Sequence, residues 1–117
     1  MVSNLTCNGR FDEYQFLTGN TATYPETNEQ DALMYEALGF VGEAGEVANK
    51  LKKVLRGDKS IDEVREGVLD EIGDSLWYAA RLARRLGTDL GVIADRNLNK
   101  LNDRSMRNVI KGDGDNR

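Results

Sequence analysis

At 117 residues the chain suits one domain, and 16 Lys and Arg against 20 Asp and Glu leave a net charge of −4, which argues against a nucleic-acid partner. Histidine is absent and Cys7 is the sole cysteine. That excludes an internal disulfide and most zinc sites, and leaves any metal to oxygen ligands, favouring magnesium, manganese or calcium. No apolar run approaches the roughly 20 residues of a membrane span, so the chain reads as soluble and cytoplasmic, with no membrane partner.

Residues 1–10 carry little pattern and read as a loose N-terminus. Phe11 to Leu17 predicts a short helix with Phe11, Tyr14 and Leu17 on one side, ended near Gly19. A loop containing Tyr24-Pro25 follows. Thr27-x-x-Gln30 reads as a capping box opening a long helix to about Arg56, with Gly57 as its C-terminal cap. Ser60-x-x-Glu63 is a second capping box, opening a helix from Ile61 to about Leu86 that Gly87 closes. Thr88 or Asp89 caps a fourth helix through roughly Arg104, so the domain spans 11–104 and 105–117 form a tail. The expected fold is all-α, a bundle of about four helices around two long central ones.

The second helix shows a wide apolar stripe that includes Leu33, Ala37, Phe40, Val41, Val47, Leu51 and Leu55. Beside it runs a polar line of Glu36, Gly39, Glu43, Glu46, Lys50 and Lys53. The third helix pairs a stripe of Ile61, Val64, Val68, Ile72, Ala79, Leu82, Ala83 and Leu86 with a line of Glu71, Asp74, Tyr78, Arg81 and Arg85. The fourth repeats Asn97, Lys100 and Arg104 at helical steps. Two long helices of roughly 40 Å each exceed what the short ones cover. A dimer or higher assembly, such as a tetramer, is therefore expected.

The pairs Glu43/Glu46 and Glu71/Asp74 each place two acids one turn apart on a helix face. Packed antiparallel, the helices bring both pairs together, an arrangement that divalent cations make favourable. The spacing alone is unspecific, since Glu26/Glu29 and Glu63/Glu66 share it near helix starts. Gly39, Gly42 and Gly45 sharpen it: mid-helix glycine costs about 1 kcal/mol relative to alanine, and close backbone approach is the usual compensation. Trp77 reads as lying opposite the acids, in the core or at a subunit interface. The bland alternative is solvated helix faces bridged to Lys50 and Arg81.

At these residues the sequence resembles the MazG-type nucleotide pyrophosphohydrolases of the all-α NTP pyrophosphatase superfamily. The pattern Glu-x-x-Glu, spacer, Glu-x-x-Asp is met by Glu43-Ala-Gly-Glu46 and Glu71-Ile-Gly-Asp74. Thr21 to Pro25, Ala37 to Val47, Asp74 to Tyr78, Asn97 to Leu101 and Lys111 to Arg117 are also similar to small single-domain members. The resemblance implies hydrolysis of a nucleoside or deoxynucleoside triphosphate between the α and β phosphates, giving the monophosphate and pyrophosphate. Glu43, Glu46, Glu71 and Asp74 would then bind magnesium, with manganese as a substitute, and Glu43 or Glu46 would orient or deprotonate the attacking water. Lys53, Lys100 and Arg104 are the candidates for holding phosphates, with Arg81, Arg85 and Arg117 behind them. Asn97 is a candidate for the sugar or phosphate, and Tyr78 shares the acid line. The tail either trails or folds back over the site. The competing reading is a non-enzymatic helical dimer acting as a binding or scaffold module; a second enzymatic one is action on a specialised nucleotide such as dUTP, dCTP or phosphoribosyl-ATP.

Overall fold

The computed structural model describes residues 10–108 together with Gly112 and Gly114. Helices are the only regular elements among the described residues: α1 (Phe11–Thr18), a 3-10 turn (Gly19–Thr21), α2 (Glu29–Leu55), α3 (Ile61–Arg85) and α4 (Leu90–Met106). The loose segment 1–10, apart from Arg10, and most of the tail 105–117 lie outside the described residues.

The helix boundaries follow from local chemistry. The Ser60 hydroxyl accepts from Glu63 N at 3.2 Å and Glu63 Oε1 accepts from Ser60 N at 2.9 Å, completing the expected capping box. That backbone bond also holds the Glu63 carboxyl below its usual range. Gly57 at φ +84° and Gly87 at φ +78° end α2 and α3 in the left-handed conformation. After each glycine the chain bonds back, Asp58 N to Lys53 O and Thr88 N to Ala83 O, both at 2.9 Å, as a Schellman turn requires.

Two boundaries differ from expectation. Asn28, not Thr27, caps α2, its Oδ1 accepting from Gln30 N and Asp31 N at 2.9 and 3.2 Å; asparagine is the stronger cap of the two. Asp89 does stand at the start of α4, but its side chain makes no capping bond. Instead α1 supplies the acceptors, with Gln15 Oε1 taking Leu90 N at 2.9 Å and Asp12 Oδ1 taking Gly91 N at 3.0 Å. The buried Gln15 amide also donates to Ala80 O and Thr88 O, so one side chain ties α1, α3 and α4 together.

The two long helices pack on each other; α2 does so without burying its large apolar residues, whereas Val64 and Ala83 of the α3 stripe are buried. The residues of α2 that bury are Ala32 and Glu36, and the seam runs along the polar line. Lys50 lies over Gly67 and Tyr78 over Gly39. The α2 stripe instead faces outward: Val41 is 68% exposed and Leu55 89%. Gly39 and Gly67 leave room for Tyr78 and Lys50, while Gly42 and Gly45, expected to mark a close approach, have nothing within 4 Å of a Cβ among the described residues. The radius of gyration, 17.1 Å, is well above the about 13 Å of a compact domain near this size. The single chain is thus an open bundle with uncovered apolar surface.

Candidate functional site

The seam brings three of the four predicted acids together. Glu43 of α2 and Glu71 and Asp74 of α3 each offer a carboxylate oxygen, all within 4.8 Å of one another. Glu71 Oε2 is buried with no partner among the described residues. Sharing a proton with Glu71 pushes the Glu43 carboxyl up to about 7, with burial and the Glu71, Asp74 and Glu46 charges adding to the effect. Glu46 sits one turn along α2, exposed, with Asn49 Nδ2 at 3.5 Å. Lys50 Nζ lies 3.9 Å from Glu71 Oε1 on the other side.

A cleft of about 420 Å³ opens over Glu43 and Asp74, walled by Thr21, Trp77 and Tyr78. This corrects the expectation that Trp77 lies opposite the acids. Asp74 and Trp77 are three residues apart, and that step keeps both on one face of α3. The indole Nε1 donates to Thr21 Oγ1 at 2.9 Å, tying the 3-10 turn to the wall. Trp77 meets Tyr78 edge-on at 5.0 Å, Tyr24 packs edge-on to Trp77 at 6.1 Å, and Tyr24 stacks on Tyr35 at 4.7 Å. Burial, and then the neighbouring Tyr35, raise the Tyr78 hydroxyl pKa.

Behind the aromatics Glu36 is fully buried. It accepts from Tyr24 and from Arg85, whose Nε is 3.0 Å away. Arg85 also holds Glu29 and Glu26, so it is committed to structure rather than free for phosphate. Arg81 is buried too, with Nη1 donating to Thr18 Oγ1 at 3.3 Å. A larger cleft of about 570 Å³ opens beside Arg81 and Arg84 near Asp12 and Asp89, but it lacks the acid cluster.

The other predicted contacts lie elsewhere. Lys53 is exposed near the end of α2, Asn97 and Lys100 are exposed on α4, and Arg104 is buried near the end of α4. None of them lines the acid cleft. Arg117 lies outside the described residues. Thr21, Trp77 and Lys50 are what the sequence reading left out of the site. The step from Asp74 to Trp77, and the seven-residue step from Glu43 to Lys50, are the signals that point to two of them.

Residues 33–108 match the family profile described as the MazG nucleotide pyrophosphohydrolase domain. The chain belongs to this family. It is also similar to the Gene 37 protein of Mycobacterium phage L5, at 46% identity over 111 residues that span 91% of this chain and 97% of the phage protein. No solved structure matches it. MazG domains act on nucleotides and generally depend on a divalent metal, and the donor set here fits one: hard carboxylate oxygens from two helices, one of them buried without a partner. No helix among the described residues is long and apolar enough to cross a membrane.

Proposed function

We propose that the chain hydrolyses a nucleoside or deoxynucleoside triphosphate between its α and β phosphates, releasing the monophosphate and pyrophosphate. The observation carrying this reading is the convergence of Glu43, Glu71 and Asp74 at the mouth of an aromatic-walled cleft. These three, joined by Glu46, would hold magnesium or manganese. A bound divalent ion supplies charge neutralisation for the phosphates and acidifies water.

The chain's own groups do the rest. Water oxygen bonds to the α phosphorus, the bridging P–O bond breaks, and pyrophosphate leaves with the electron pair. One water proton passes to a carboxylate, Glu43 or Glu46. Tyr78 and Trp77 offer apolar rings to the base. Lys53, Asn97 and Lys100, held away from this cleft in the single chain, are proposed phosphate or sugar contacts brought by a second copy, and Arg117 one from the tail; Arg104, buried near the end of α4, is not among them.

A second copy is part of the reading. The outward faces of Leu38, Val41 and Leu55 are the apolar surface a dimer or tetramer would cover. The acidic net charge argues against nucleic acid as a partner, and the cytoplasm holds the nucleotide pool such an enzyme draws on.

Pyrophosphate release from a panel of ribo- and deoxyribonucleoside triphosphates, with and without magnesium, tests the proposal. Turnover that requires magnesium and disappears in Glu43→Gln and Asp74→Asn supports it. No turnover on any substrate, with self-association unchanged in both variants, would establish the scaffold reading instead.

A further inference from the structure

The seam between α2 and α3 has a direction. From one end, α2 presents Tyr35, Gly39, Glu43 and then Lys50, while antiparallel α3 presents Tyr78, Asp74, Glu71 and then Gly67 in the same spatial order. Aromatic rings and the 3-10 turn occupy one end, the acids the middle, and Lys50 the other end, with exposed Lys53 one turn beyond it. Lys50 lies two turns beyond Glu43, about 10 Å along the axis.

Three observations bear on what Lys50 is for. Its stem runs across Gly67, where a Cβ would come within 3.3 Å of Cδ and Cε, so the glycine leaves the stem its path along the seam. Its ammonium is 3.9 Å from Glu71, at the outer limit of an ion pair, and its side chain is 32% exposed. Such a contact contributes little and is easily exchanged. At the opposite end Arg85 is shared among Glu26, Glu29 and Glu36, Arg81 is buried with Nη1 on Thr18, and exposed Arg84 lines separate clefts rather than the one over the acids. The aromatic cluster also stands between them and the acids.

We propose that Lys50 holds the pyrophosphate end of the bound nucleotide, which therefore lies along the seam with its base toward Thr21, Trp77 and Tyr78 and its terminal phosphates toward Lys50. This rests on the hydrolase reading above. A lysine suits the task because its ammonium is a mobile point charge on a flexible stem, and cations bound among the acids would release it from Glu71. Lys50 would then stay on the leaving pyrophosphate after the α–β bond is broken.

The test measures product binding rather than turnover. Calorimetric titrations in manganese compare pyrophosphate and a nucleoside monophosphate on the wild-type chain, Lys50→Gln and Lys50→Arg. Lys50→Gln is expected to weaken pyrophosphate binding about tenfold, to leave the monophosphate within about twofold, and to bind manganese alone no more weakly than wild type; Lys50→Arg restores most of the loss. Unchanged pyrophosphate affinity in Lys50→Gln, or equal loss of both products, overturns the assignment while leaving the hydrolase reading standing. A wild-type chain that binds neither product and hydrolyses no triphosphate removes both.

Discussion

Tyr78 lies against the backbone of Gly39 so closely that a methyl group at position 39 would collide with its ring. Gly39→Ala therefore forces Tyr78 out of the seam. Overpacking of this kind costs about 1–3 kcal/mol, against about 1 kcal/mol of helix propensity gained, and a lowered urea midpoint measures the balance. Gly42→Ala is the control. Nothing lies within 4 Å of a Cβ there in the single chain, so it gains stability; a loss would mark contact from a second copy.

Removing a ligand from the acid cluster should abolish function without unfolding the chain. Asp74→Asn and Glu43→Gln are each expected to lower pyrophosphate release by more than about a hundredfold, since even outer partners of metal ligands cost about 10–100-fold. Manganese titration of the same variants checks the cause. EDTA should silence the wild type, and magnesium should restore it.

The pH dependence of the metal-free chain has a defined sign. Glu43 titrates near 7 in the folded chain, above its ordinary 4.5, so between those values the folded state holds a proton that the unfolded state has released. Its contribution to stability is complete below pH 4.5 and is lost as pH rises through 7. Thermal melts from pH 5 to 8 should show a downward slope that Glu43→Gln flattens. Magnesium should stabilise more at pH 8 than at pH 5.5, where the carboxyl is still protonated.

Glu36 has no exposure to solvent, and Arg85 supplies its counter-charge through Nε and Nη2 at 3.0 and 3.2 Å. Arg85→Met leaves a buried carboxylate whose remaining hydrogen-bond partner among the described residues is Tyr24, and should cost about 3–5 kcal/mol. The double variant Glu36→Leu/Arg85→Met is expected to recover much of that loss in chemical denaturation, which separates a stranded charge from lost packing.

If a second copy covers the outer face of α2, charges placed there prevent it. Leu38→Glu with Val41→Glu alters only exposed side chains, so the helix content should persist while the light-scattering mass falls to that of one chain.

Much of this fold was legible because helix ends are written locally. Ser60, Glu63, Gly57 and Gly87 act through bonds to neighbours within five residues. The acid cluster was legible for a related reason, as helical spacing places Glu71 and Asp74 on one face and antiparallel packing delivers Glu43. What periodicity left open was which surface of α2 the chain itself covers. A stripe of large apolar residues marks a surface that will be covered, but not which partner covers it, and here the intrachain partner took the polar line of Gly39, Glu43 and Lys50. Trp77 was misplaced by treating it as apolar ballast, although its step from Asp74 fixed its face. The Gln15 bonds were beyond reach, because no local pattern marks a side chain that caps a helix 75 residues away.

That distant cap has a consequence for how the chain can be cut or extended. The first turn of α4 is only as secure as the docking of α1, so the two ends of the described chain share one fate. A truncation that removes residue 15 should release amide protons at Leu90 and Gly91 to exchange while α2 and α3 remain protected. A fusion partner joined upstream would pull on the same clasp.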